Sequence, residues 1–446
     1  MSRTFRFWMV FVLALATRTP AQETPSAPPS DPPSQIEAAS GLQLTLQQAE
    51  AIAIKNNPQI TVARLQAIQA HEFVREVRSA QLPQANLSVT AVGADAGSRI
   101  AAGALTNPTV YPRAAAGANV TQLITDFGRT RNLISSSEYQ AKAENENAVA
   151  TQQQIVLGVD QAFYNTLETK ALQQVAVETV AARQLLVDQV QALTNAKLRS
   201  DVDLSFSKVD LSRAKLLLLD SQSNYEASLS TLSAILGYPS RQDLVLLESP
   251  SPEIPPALDP AALIQQALQL RPEIRALQDE VTSEQKFSKA ERDLWWPTVN
   301  AEGVVGLAPV RDAHINSWYG AAGVNVNIPI FNGYLFNARA KTADLETQAR
   351  QRRLQDLQNN VARDVRNAWL DTQKSYERLS LTQQLREQAN LALELSQARY
   401  KLGLASIVEY SQATLQKTEA DLEDTDAHYQ YLVSQIMLAY DMGTQR

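Results

Sequence analysis

Along most of this chain apolar residues recur three and four apart, but in two regions the rhythm switches to every second residue. Ala85, Leu87, Val89 and Ala91 alternate with Asn86, Ser88 and Thr90. Val299, Ala301, Gly303 and Val305 alternate in the same way with Thr298, Asn300 and Glu302. Period two puts the apolar set on one face of a strand and the polar set on the other. After a loop a second strand follows, clearest where Val324, Val326, Ile328 and Ile330 alternate with Gly323, Asn325 and Asn327. Ahead of each strand pair the spacing predicts one helix, over 45–80 and over 260–293. Leu82-Pro83 and Trp296-Pro297 end these helices, because proline cannot continue a helix and biases its predecessor toward extended geometry.

Behind each strand pair the helical rhythm is long and unbroken by proline. All 20 prolines lie at or before Pro329, and none falls between Gly128 and Tyr238. Ile155, Val159, Ala162 and Phe163 keep helical spacing, as do Val361, Val365, Ala368 and Trp369. Both segments are rich in Ala, Gln, Leu, Glu and Lys, the good helix formers. Interruptions near Arg199–Asp201 and near Gly403–Ser406 divide each segment into two antiparallel helices. The first arm, of roughly 65 residues, would be about 100 Å long. Helices of that length need neighbours along their whole course.

The two regions are copies of one unit. Leu44–Ile60 (LTLQQAEAIAIKNNPQI) aligns with Leu258–Ile274 (LDPAALIQQALQLRPEI), and Pro58 meets Pro272 at a shift of 214. GANVTQLITDFG from Gly117 aligns with GVNVNIPIFNGY from Gly323 at a shift of 206, which holds to the pairing of Leu236-Gly237 with Met442-Gly443. The register changes by eight residues between Pro83 and Gly117, so the first copy carries the longer loop between its strands. A repeat of this kind specifies the architecture. The expected divisions are residues 44–250 and 251–446, each a β-hairpin followed by a long helical hairpin.

Composition narrows the setting. Arg3 and Arg6 precede an apolar run from Phe7 to Ala16, too short to span a bilayer and suited to a secretory signal. Cleavage fits near Ala16 or, preferably, after Ala21, and the Pro- and Ser-rich stretch that follows predicts a disordered leader over 22–43. With no cysteine the chain has no disulfide, no thiol nucleophile and no lipid-modified cysteine. A net charge of −7 argues against nucleic acid as a partner. His71, His314 and His428 lack ligand spacing, and no phosphate-binding glycine loop is present, so neither catalysis nor a cofactor or metal is expected.

Four amphipathic strands leave free edges and an apolar face that lipid would tolerate only in a closed barrel. Outer-membrane barrels of a single chain begin at eight strands, so these four must be shared between chains. Trp295 and Trp296 before one strand, and Trp318 and Tyr319 at the end of another, suit aromatic girdles at the membrane interfaces.

The order of these features, with LPQANLSV, VTQLITDFGRTRN, NIPIFNGYLFNAR and YKLGLASIVEYSQA, resembles the TolC-like outer-membrane factors of multidrug efflux pumps and type I secretion systems. The resemblance covers about residues 44–443. It implies a mainly α fold with a small β portion. A homotrimer would build a twelve-stranded barrel in outer-membrane lipid, continuous with a twelve-helix periplasmic tunnel. It further implies a periplasmic adaptor (membrane fusion) protein and an inner-membrane pump of RND or ABC type as partners. The adaptor contact would fall on the turn Leu402, Gly403, Leu404, Ala405 and Ser406, with Arg199 and Ser200 in the other copy. Tyr400 matches a tyrosine that ties the closed gate to an acid, and Asp203 matches that acid. The family arginine that assists this lock is replaced by Ala405, and the two gate acids fall on Glu409 and Gln412. The expectation is a Glu409-lined, weakly cation-selective constriction held by Tyr400–Asp203. The alternative from another class is a periplasmic structural or adaptor coiled coil, which would be a soluble monomer.

Overall fold

In a computed structural model, described over residues 42–93, 99–102, 105–109, 113–248, 259–308 and 316–445, the two copies share one order of main elements: two short helices, two long strands, a long helix and a return helix. The first runs β1 (Leu42–Leu44), α1 (Leu46–Asn56), α2 (Pro58–Ser79), β2 (Gln84–Val92), a small hairpin of β3 (Arg99–Ala102) and β4 (Leu105–Thr109), β5 (Arg113–Thr125), α3 (Arg129–Asn195), α4 (Asp201–Ile235) and β6 (Leu244–Leu246). The second runs α5 (Pro260–Leu270), α6 (Pro272–Arg292), a single 3-10 turn, β7 (Thr298–Leu307), β8 (Trp318–Asn327), α7 (Leu335–Lys401) and α8 (Ile407–Asp441). Both long helices have 67 residues and both return helices 35. The expected signal and almost all of the leader lie outside the described residues, as do His314 and parts of the longer loop.

Three boundaries differ from the sequence reading. The helices expected over 45–80 and 260–293 are each two, because Asn57 and Arg271 adopt extended backbone (ψ 123° and 125°) immediately before Pro58 and Pro272. Strand β8 stops at Asn327, since Pro329 removes a ladder donor, and Ile328 and Ile330 lie exposed beyond it. Leu42 and Gln43, inside the span expected for the leader, belong to a short strand paired in parallel with β6.

Each 67-residue helix is covered by shorter ones laid along it. α2 and α6 pack along the half of α3 nearer the sheet, and α4 packs along the other half; α6 and α8 do the same for α7. The largest core lies where these partners meet end to end. Leu44, Ala53, Ile60, Val159, Phe163, Leu232, Leu236 and Leu246 are its buried centre. Ile264, Ala267, Ile274, Val361 and Val365 form the counterpart in the second copy. At this junction Gly237 and Gly443 end α4 and α8 in the left-handed region (φ 87° and 70°). A Cβ on Gly237 would lie 2.8 Å from the carbonyl oxygen of Asn56, so the kink and the helix end fit only without a side chain.

The two junctions are fastened by different chemistry. The Asn57 side chain caps α2 by accepting from Gln59 N at 2.9 Å and donates to the Ile235 carbonyl at 2.9 Å. At the matching place Arg271 reaches Asp441 at 3.4 Å. Nearby, Asp160 is almost fully buried beside Glu50 and accepts from Gln445 at 2.8 Å. Burial, then the charge of Glu50, pushes Asp160 up to about 7. Burial and Asp426 push Glu168 up to about 7 as well.

The sheet order is β2-β5-β7-β8, antiparallel throughout. Register places Leu87, Ala118, Val305 and Gly320 in one row, with Val89, Ala116, Leu307 and Trp318 beside them. The opposite face carries Asn86, Asn119, Thr121, Glu302 and Asn325. No described residue of these strands joins a buried core, and Leu87 is 76% exposed. At the helical end Trp296 stacks on Phe127 at 5.7 Å and Trp295 meets Phe336 edge-on at 5.5 Å. At the far end Trp318 and Tyr319, both expected at a membrane interface, project to opposite faces because they are neighbours in a strand. Trp318 shares the apolar face and Tyr319 the polar one. Among the described residues no helix is long and apolar enough to cross a membrane.

Two outcomes follow from the junction. Replacing Asn57 by Ala removes a cap and leaves the Ile235 carbonyl unpaired, and should cost about 2 kcal/mol; an unchanged thermal midpoint in detergent would refute this. For Asp160, the folded-state value lies above that of an unfolded carboxyl, near 4. Its contribution is therefore complete below about pH 4 and disappears as pH rises through about 7. Thermal midpoints measured from pH 4.5 to 8 should fall less steeply in Asp160→Asn than in the parent.

Candidate gate at the helix tips

The turns farthest from the sheet close both helical hairpins with the same backbone. Each needs one left-handed residue, supplied by Lys197 (φ 63°) in the first copy and Gly403 (φ 73°) in the second, which are repeat partners. A lysine there carries a cost of about 1–2 kcal/mol that glycine avoids. Ser200 then caps α4, its hydroxyl accepting from Asp203 N at 3.1 Å, and Ser406 caps α8, accepting from Glu409 N at 3.2 Å. Leu198, Leu402 and Leu404 are exposed on the turns, while Ala405 is buried.

Between the turns lies a small core of Leu186, Val190, Leu204, Leu211, Ile407 and Tyr400. Tyr400 is only 5% exposed. Its ring stacks on Tyr410 with centroids 5.5 Å apart and planes 12° apart. On its other side the Arg199 guanidinium sits 4.3 Å from the ring centroid. The same guanidinium donates to the Tyr400 carbonyl at 2.9 Å. The first-copy turn thus holds the end of α7 through a cation–π contact and a charge-assisted hydrogen bond.

The expected Tyr400–Asp203 bond is absent. The Tyr400 hydroxyl is buried without a hydrogen-bond partner, and the Asp203 carboxylate instead accepts from Ser200 N at 3.4 Å. Burial raises the Tyr400 phenol, Arg199 lowers it and Asp203 raises it further, so it stays neutral. The geometric reason is the N-cap: Asp203 is the third residue of α4 and folds back on its own helix start. Glu409 is not a free acid either. It pairs with Arg399 at 3.2 Å, and Arg399 also donates to the Leu404 carbonyl at 3.4 Å. Gln412 stands apart from both, lining a cleft of about 400 Å³ between α3, α4 and α8 with Arg183, Asp210 and Phe206. There Arg183 and Asp210 pair at 3.7 Å, and Ser411 donates to Asp210.

The residue that sequence reasoning undervalued is Arg199. A signal for it existed: Arg199 is the repeat partner of Ala405, the position where the resemblance expects an arginine. The cation is present but on the opposite turn. Arg399, Tyr410 and Arg183 carried no such signal, since their contacts depend on how four helices approach.

The outer membrane efflux protein family matches the chain twice, over residues 51–238 and 263–444. Outer membrane protein TolC of Escherichia coli is 24% identical over 426 residues, covering 92% of this chain and 84% of that protein. TolC of Salmonella enteritidis is 23% identical, covering 92% and 83%. Among solved structures, CusC superimposes with a TM-score of 0.79 at 19% identity, over 92% of this chain and 95% of that one. The Campylobacter jejuni outer membrane channel CmeC gives 0.77 at 18%, over 90% and 86%. A family match across both copies and most of the chain, on this strand-and-hairpin architecture, means that the protein belongs to the outer membrane efflux protein family.

Proposed function

We propose that three copies of this chain form a passive outlet from periplasm to exterior, serving a tripartite efflux pump or a type I secretion system. One observation carries the reading: a four-stranded sheet with two bare faces and two free edges is joined to helices about 100 Å long. Pairing β2 of one copy with β8 of the next would satisfy both edges and close twelve strands, with Leu87, Val89, Val305 and Trp318 toward lipid. The polar rows would then face the lumen. Trp295 and Trp296 would mark the periplasmic interface and Trp318 the outer one.

Below the membrane the same three copies would supply twelve helices to a tunnel whose entrance is the pair of tip turns. The exposed Leu198, Leu402 and Leu404 would receive a periplasmic adaptor, and through it an inner-membrane pump of RND or ABC type. The outlet needs no catalytic group or cofactor, and its acidic charge makes nucleic acid an improbable partner. In this reading the closed entrance is held by Arg199 on Tyr400, with Glu409 neutralised by Arg399.

Planar-bilayer conductance tests this directly. Arg199→Ala should raise the leak of reconstituted trimers several-fold, since it removes about 1–2 kcal/mol of contact per protomer. Tyr400→Phe should leave the leak unchanged, because the hydroxyl has no partner. The opposite pattern, a silent Arg199→Ala and a leaky Tyr400→Phe, would restore the tyrosine–acid lock. A wild-type protein that stays monomeric and soluble in the periplasm would overturn the channel itself.

A further inference from the structure

The polar face of the sheet holds one aromatic ring in the rows fixed by strand pairing, and it lies over a floor without side chains. Ser88, Gly117, Gly306 and Tyr319 occupy one cross-strand row at the end of the sheet away from the helices. The Tyr319 ring extends along this row across both glycines. A Cβ built on Gly117 would fall 2.5 Å from the Tyr319 hydroxyl, and one on Gly306 would fall 2.5 Å from the ring carbon beneath that hydroxyl. Contacts that short are impossible, so either methyl group would displace the ring. Glycine weakens a strand interior, and an aromatic laid across it recovers cover for the bare backbone.

We propose that Tyr319 sets the size limit of the channel exit, and that Gly117 and Gly306 keep the exit wide by letting the ring lie flat against the wall. This rests on the channel reading, in which the polar face lines the lumen. In a trimer three such rings share one level near the outer mouth. Flat, each narrows the passage by little more than the thickness of a ring. Raised, each projects its full length into the water. The second glycine is constrained twice, because a Cβ on Gly306 would also meet the Ala116 carbonyl at 2.7 Å. At Gly117 the only contact below 3 Å is the tyrosine hydroxyl, the free end of a side chain, so that position moves the ring and leaves the ladder intact.

The experiment uses full-length trimers in an Arg199→Ala background, whose entrance is expected to leak, reconstituted in bilayers and in liposomes; this background is the parent for each variant. Gly117→Ala should lower single-channel conductance by roughly half and slow entry of a trisaccharide more than entry of a pentose. Adding Tyr319→Ala to Gly117→Ala should return both to parental values. Gly117→Ala trimers with parental conductance and parental sugar selectivity, or a deficit that persists in the double variant, would overturn the proposal. A second probe does not touch the glycines. The chain has no cysteine, so Tyr319→Cys can be treated with a membrane-impermeant thiol reagent, which should reduce conductance, whereas Trp318→Cys should be unaffected. A silent Cys at 319 in conducting trimers would sink this inference alone. Chains that form no trimer in the membrane would instead remove the channel reading on which it stands.

Discussion

A helix of 67 residues extends about 100 Å, and its stability in water comes from the packing of one face along that whole distance. No single partner in this chain is long enough. The solution is partners laid end to end, shorter ones on the strand side and a 35-residue one on the tip side. The heaviest core then falls at the seam between them, because there three helix ends and a β1–β6 pair converge. The kinks at Pro58 and Pro272, the terminal glycines 237 and 443 and the buried polar fastenings all serve that seam.

Duplication repeats the backbone with more fidelity than it repeats the chemistry. Where the first copy sets a half-buried Glu50 beside the buried Asp160, the second has Ile264 and Arg366 at the corresponding positions. Where Asn57 bonds a carbonyl, Arg271 meets a carboxylate. At the tips the cation stands on the first-copy turn and the aromatic on the second, so the contact joins unlike halves. A tube built from near-equivalent halves tolerates such exchanges, since each fastening is local and the helices that carry it are the same length.

Much of this was legible in the sequence because it rests on periodicity and on glycine and proline. The 206-residue shift predicts the ends of α7 and α8 from those of α3 and α4 to the residue. What escaped was decided by competition. Leu46–Asn56 and Pro58–Ser79 read as one helix because proline is welcome in a first turn, so only the geometry of Asn57 reveals the break. Asp203 looked free to meet Tyr400, yet a capping box is closer at hand than a tyrosine on another helix.

The corners between sheet and long helix carry one more consequence. Each has two successive left-handed residues, Phe127 and Gly128 in one copy and Gly333 and Tyr334 in the other, and each has glycine at only one of the two. At the non-glycine position of each pair the left-handed region is a small allowed area, which narrows the joint. Leverage makes that rigidity valuable, because a tilt of one degree at the corner would sweep the far end of a 67-residue helix through about 1.7 Å. Motion at the entrance must therefore arise as bending and sliding within the helical hairpins, leaving the strands at the other end undisturbed.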